Sequence, residues 1–136
     1  QTRRTIPDRV NLDRMRANAI EAAEQCGILR VPEIAELRPL AKVLDGWDAR
    51  RRLIFCDEGD GSTNPLTTLA TLQTGPLAVF VGPEGGFSNE ERVLLRSKTF
   101  VVPLSLGPRI MRADTAAVAA LALVNATLGD WRGDRK

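Results

Sequence analysis

Three short apolar runs, each closed by a loop, restrict what this chain can build: Leu53-Ile54-Phe55-Cys56, Leu77-Ala78-Val79-Phe80-Val81, and Phe100 to Leu104. Runs of this kind, apolar without alternation, suit strands buried on both faces of a parallel sheet. The stretches between and after them have helical character. Leu66 to Leu72 is expected to be helical. Ser88 and Glu91 form an S-x-x-E capping box that starts a helix through about Ser97. A last helix is expected from about Asp114 to Leu128, with Gly129 as its stop. Strands alternating with helices define an α/β domain, a mainly parallel sheet flanked by helices. Such sheets bind ligands beyond the carboxyl ends of their strands. That edge should gather Asp57-Glu58-Gly59, the Gly82 to Gly86 loop and the Ser105 to Arg112 loop.

Upstream, Asn11 is placed to cap a helix running to about Cys26, with Leu12, Met15, Ala19, Ile20 and Ala23 at helical spacing and Gly27 as terminator. Val31-Pro32-Glu33-Ile34 reads as extended, because a residue before proline avoids the helical region. Pro39 to Trp47 could form a second, shorter helix. Residues 1 to 10 are basic and polar and read as a linker from a preceding domain, leaving 11 to 136 as the domain proper.

The last helix carries a further expectation. Ala116 through Val124 offers no polar face, and a helix apolar all round must be covered all round. A sheet in so small a domain covers one side. The other side is expected to pack on a second copy, giving a homodimer, the alternative being a wholly internal helix.

What is missing narrows the chemistry. The chain has no His and no Tyr, which excludes Ser-His-Asp and Cys-His catalysis and removes the commonest metal ligand. Cys26 and Cys56 are isolated, with no C-x-x-C pair, so a metal site is not expected, and both read as reduced, buried thiols. No signal peptide is visible, and the longest apolar stretch, Ala116 to Leu128, is shorter than the ~20 residues of a membrane span. The chain reads as cytoplasmic. A formal net charge of +2 permits RNA binding without demanding it.

The strand–loop–helix unit at 77 to 97 first suggests a nucleotide-phosphate site, yet its spacing is neither G-x-G-x-x-G nor a P-loop. Glu84 also stands where a phosphate would approach the helix. A ligand with hydroxyls, an amine or a cationic centre suits the loop better, and a plain tight turn is the other reading. The segment Leu104-Ser105-Leu106-Gly107-Pro108-Arg109-Ile110-Met111-Arg112-Ala113-Asp114-Thr115-Ala116 sets two arginines among apolar and small residues. Arginines so placed need partners. Asp114 and Glu84 could serve, as could RNA phosphate or substrate. Arg109 is open to a structural or a functional role, and Arg112 leans functional.

Gly82-Pro83-Glu84-Gly85-Gly86-Phe87-Ser88 with Glu91, followed by Leu106 to Ala116, resembles the two motifs of the bacterial 16S rRNA uridine-N3 methyltransferases, the ribosomal RNA small subunit methyltransferase E family of the SPOUT class. The helix Ala17 to Gly27 and Val31-Pro32 are similar to its upstream region, and the resemblance spans about residue 5 to Leu128. It implies a C-terminal deep trefoil knot, an obligate dimer, and S-adenosylmethionine bent within the knotted loops. Carried over by position, Gly82, Pro83, Glu84, Gly85, Gly86, Leu104, Leu106, Gly107, Arg109, Ile110, Met111 and Ala116 would surround the cofactor. Arg112 would face the target base and stabilise negative charge developing on the uracil. The partner implied is 16S rRNA in the small ribosomal subunit. Met111 and Asp114 depart from the family's usual Leu and Glu, and nothing in the chain matches the family's N-terminal barrel-like RNA-binding domain. The rivals are a SPOUT enzyme acting on a ribose 2′-hydroxyl or another base, and a non-catalytic RNA-binding or assembly module.

Overall fold

The computed structural model describes residues 10–58 and 64–133. The linker expected at residues 1 to 10 lies, apart from Val10, outside the described residues. The chain divides into two compact units at the Asp45–Gly46 junction.

The first unit holds α1 (Leu12–Gln25) and α2 (Leu40–Asp45). Asn11 caps α1, its side chain accepting from the Arg14 amide at 2.9 Å. The helix ends in a Schellman motif, with the Ile28 amide donating to the Ala23 carbonyl and the Gly27 amide to that of Glu24. Residues 31 to 39 form neither helix nor strand, as the Val31-Pro32 signal implied. Of the expected apolar stripe on α1, only Ala23 is buried; Met15 and Ile20 remain nearly half exposed. Two short helices supply too little surface to enclose such a stripe. Cys26, expected to be buried, is exposed for the same reason, since it lies in the turn that ends α1.

The second unit contains β1 (Arg52–Cys56), α3 (Pro65–Ala70), β2 (Leu77–Val81), α4 (Asn89–Arg96), β3 (Val101–Leu104), α5 (Ala113–Thr127) and a 3-10 turn, Asp130–Arg132. The three strands are parallel in the order β2-β1-β3, with Leu53 paired to Ala78 on one side and to Val101 on the other. β1 is therefore the central strand, and from Leu53 to Cys56 it is fully buried. β2 was expected to be buried and is only half-buried along its length, because it is an edge strand among the described residues.

Alternation along β1 assigns the two faces of the sheet. Ile54 joins Leu69 of α3, Leu104, Val124 of α5 and Leu128 in one core. Phe55 points the other way and meets Phe87 edge-on at 4.8 Å, with Phe80 at 6.2 Å. Burying side chains such as Ile54 and Leu69 completely contributes about 1.5–3 kcal/mol each. α4 follows Phe87 directly on that second face. Its capping box is complete, Ser88 and Glu91 each accepting from the other's amide at 3.2 and 2.8 Å.

Arginines close the amino-terminal edge of the sheet. Arg51 Nε donates to the Leu77 carbonyl at 3.1 Å and Arg52 Nη1 to that of Thr99 at 3.0 Å, while the Arg51 guanidinium lies over Trp47. Trp47 in turn stacks on Phe100 with centroids 6.0 Å apart. Arg50 pairs with Asp48 at 2.8 Å, and hydrogen bonds from Arg50 hold the Asp48 carboxyl at about 2.

α5 is not wholly internal. It buries Ala116, Ala120 and Val124, but Val118 is 70% exposed and Leu121 49%. One side lies on α3 and β2, and an apolar stripe faces outward. No helix of the described residues is long and apolar enough to cross a membrane.

Candidate active site

The chain leaves β1 for α3 on one face of the sheet and β2 for α4 on the other. Neighbouring parallel strands whose connections part in this way open a crevice at their carboxyl ends. Three loops converge there. The end of β1 contributes Cys56, Asp57 and Glu58; the end of β2 contributes Val81, Gly82, Pro83, Gly86 and Phe87; the end of β3 contributes Leu104, Leu106, Gly107, Arg109 and Met111. Arg92 of α4 and Ala116 of α5 complete the lining. The enclosed cavity is narrow, about 40 Å3, so a larger ligand would extend into the open mouth.

Two glycines are required by this geometry. A Cβ on Gly82 would stand 2.6 Å from Cε2 of Phe87, so the ring can lie across the strand end only because residue 82 has no side chain. Gly107 has φ +107°, a conformation that residues with side chains rarely adopt. Its amide lies 3.3 Å from the Ser105 hydroxyl, which accepts from it.

Asp57, the residue after β1, is the most buried charge among the described residues, at 2% exposure. Its amide extends the β1–β3 ladder by donating to the Leu104 carbonyl at 3.1 Å. Its two carboxylate oxygens divide between arginines one turn apart on α4: Oδ1 accepts from Arg92 Nε at 3.0 Å and Oδ2 from Arg96 Nη2 at 2.8 Å. This arrangement supplies the partners that burial of a carboxylate requires. Cys56, beside it, is buried and uncharged, its thiol pushed up to about 11 by desolvation.

Of the residues expected to surround a cofactor, the structure brings together Gly82, Pro83, Gly86, Leu104, Leu106, Gly107, Arg109, Met111 and Ala116. Glu84, Gly85 and Ile110 are exposed and stand outside the lining, as does Arg112. Arg112 occupies the N-cap position of α5 without a capping hydrogen bond, its Nε 3.8 Å from Asp114 and its side chain 79% exposed. Asp114 sits inside the first turn of α5, its carboxylate accepting from the Thr115 amide. Sequence reasoning put Asp57 and Glu58 at the right edge without assigning them a role, and it missed Phe87 and Arg92 as lining residues. The three-residue offset from Ser88 to Glu91 was legible, but nothing local links Asp57 to arginines 35 and 39 positions away.

The comparisons agree with this architecture. Residues 1–125 match the model of the RNA methyltransferase domain family, and the chain belongs to that family. It is 34% identical over 116 residues to the ribosomal RNA small subunit methyltransferase E of Rickettsia conorii, covering 85% of this chain and 47% of that protein. A Neisseria gonorrhoeae ribosomal RNA small subunit methyltransferase E, solved bound to S-adenosylmethionine, superimposes with a TM-score of 0.69 at 26% identity, over 93% of this chain and 54% of that one. A Legionella pneumophila chain assigned as a methyltransferase, solved with bound cofactor SAM, gives 0.70 at 34% identity, over 85% and 46%. The chain spans about half the length of the curated relatives it matches.

Proposed function

We propose that this chain is the catalytic domain of a cytoplasmic enzyme that uses S-adenosylmethionine to methylate N3 of a uridine in the 16S rRNA of the small ribosomal subunit. The observation that carries the reading is the convergence of both glycine-containing loops on one cleft at the carboxyl edge of the sheet, in a member of the RNA methyltransferase domain family. The names and bound cofactor of the relatives support the substrate class and the methyl donor. In the same reading the C-terminal third of the chain forms a deep trefoil knot. The outward stripe of Val118 and Leu121 packs on a second copy, and residues 1 to 10 lead from an RNA-binding barrel domain.

The residues present suit such a cofactor. Open space at Gly107 admits a flat nucleoside closely, Gly82 lets the Phe87 ring lie across the strand end, and Leu106, Phe87 and Met111 offer apolar walls. S-adenosylmethionine, when bound, supplies an electrophilic methyl group on a sulfonium. The loops would hold the donor against the base and keep water from it, so positioning would provide much of the rate. Pro83, Gly86, Leu104, Arg109 and Ala116 complete the binding surface. Glu84, Gly85 and Ile110 would reach the ligand at the open mouth. N3 of uridine carries a proton at neutral pH, and the chain has no imidazole to take it. Arg112, at the positive end of α5, would stabilise the negative charge that develops on the uracil as that proton passes to solvent water.

The test is methyl transfer by the whole protein to small subunits from a strain lacking its gene, followed by mass spectrometry of the nucleosides. One 3-methyluridine per subunit is the expected product. A ribose-methylated or other methylated nucleoside would replace the assigned target. Tight RNA binding without any transfer would favour the assembly role instead.

A further inference from the structure

Arg92 stands apart from every motif that the proposed function uses, yet it lines the cleft. Its Nε is committed to Asp57 at 3.0 Å. Its terminal nitrogens have no partner among the described residues, and Nη2 lies 3.8 Å from the point a Cβ on Gly86 would occupy. The guanidinium tip is therefore held over the glycine loop, and the side chain is only 29% exposed. Asp57 is held in turn, by the Leu104 carbonyl through its amide and by Arg96 through its second oxygen. The result is a cation of fixed orientation, anchored by a fully buried carboxylate, with two terminal nitrogens that no described residue engages.

We infer that Arg92 is a ligand-binding residue that receives the carboxylate of the amino-acid part of the cofactor, and that Asp57 is the positioning residue that aims it. The inference rests on the cofactor reading above. A guanidinium is the side chain best matched to a carboxylate, since its parallel N–H groups donate to both oxygens. The Nε bond to Asp57 leaves the terminal pair for that purpose and removes most of the rotamer freedom that binding would otherwise cost. Arg109 also lines the cleft, but it is exposed and no described residue orients it.

The experiment is calorimetric titration of the whole protein with two probes: S-adenosylmethionine, and its decarboxylated analogue, which keeps the nucleoside and the sulfonium. Arg92→Gln should weaken S-adenosylmethionine roughly ten- to a hundredfold, as expected for hydrogen bonds to a charged group, and leave the analogue's affinity nearly unchanged. Arg92→Lys should recover part of the loss. Asp57→Asn should show the same selective weakening to a smaller extent; if that variant does not fold, Arg92→Gln carries the test. Equal weakening for both probes would reveal a merely structural role and overturn the inference, and so would unchanged affinity for both. Failure of the parent to bind S-adenosylmethionine would overturn the cofactor reading itself, an outcome distinct from a binding parent whose variants lack selectivity.

Discussion

Replacing Gly82 by alanine adds a single methyl group at the point where β2 opens into the cleft. The backbone tolerates it, since residue 82 does not have a positive φ. The obstacle is Phe87. The new Cβ would lie 2.6, 3.0 and 3.1 Å from three carbons of its ring, against the ~3.5–4.0 Å of comfortable carbon contact. Relief needs the ring to retreat by about 1 Å. It is wedged against Phe55 at 4.8 Å and Phe80 at 5.2 Å, and Phe55 is itself wholly buried. Overpacking of this kind costs about 1–3 kcal/mol. Urea titration of the whole protein should show that loss as a lower midpoint at unchanged slope. Phe87→Leu removes the obstructing ring, so in the background of that change Gly82→Ala should cost much less, with a coupling of about 1 kcal/mol or more. Because both residues line the cleft, Gly82→Ala should also weaken S-adenosylmethionine. Equal midpoints for parent and Gly82→Ala, with no coupling to Phe87, would refute the claim that ring packing makes glycine necessary here.

Four further outcomes follow from the same geometry. Exposed Cys26 should react readily with a thiol reagent at pH 8, whereas Cys56 should stay protected, with a thiolate fraction of about 0.001 if it titrates at about 11. The thiol's folded pKa is raised, so its stabilising contribution is complete below the unfolded value near 9 and is lost as pH rises toward 11. Cys56→Val should therefore flatten the alkaline stability profile by on the order of 2 kcal/mol relative to the parent. Arg112→Ala should leave folding and cofactor affinity close to the parent, since the side chain is mostly exposed and stands outside the lining of the cleft, while methyl transfer to the subunit falls about a hundredfold or more. Val118→Glu, on the outward stripe of α5, should convert the proposed dimer to a monomer by sedimentation while far-ultraviolet circular dichroism is preserved; a variant that stays dimeric would remove α5 from the interface.

The elements were largely readable because their signals are local. The Asn11 cap, the Ser88–Glu91 box and the three apolar runs each depend on neighbours within a few positions, and each became the element expected. What escaped depends on tertiary placement. An apolar run does not reveal whether it lies at the centre or the edge of a sheet, so β1 and β2 looked alike although only β1 is buried on both sides. The apolar stripe of α1 resembles that of any core-facing helix, and its exposure reflects how little its own unit can enclose. In the site, the two glycine-containing loops were legible from composition and order. The Asp57–Arg92–Arg96 cluster was not, because α4 reads as a polar amphipathic helix until its packing face is known. The Phe87 ring over Gly82 is likewise visible only once Phe55 and Phe80 are brought beneath it.

The most direct test of the account is a crystal structure of the whole protein grown with S-adenosylmethionine. Ligand density among Gly82, Gly86, Leu106, Gly107 and Met111, with Arg112 at the mouth beside the methyl group, is the predicted result. Density in any other part of the molecule, with the carboxyl edge of the sheet closed by its own side chains, would contradict it.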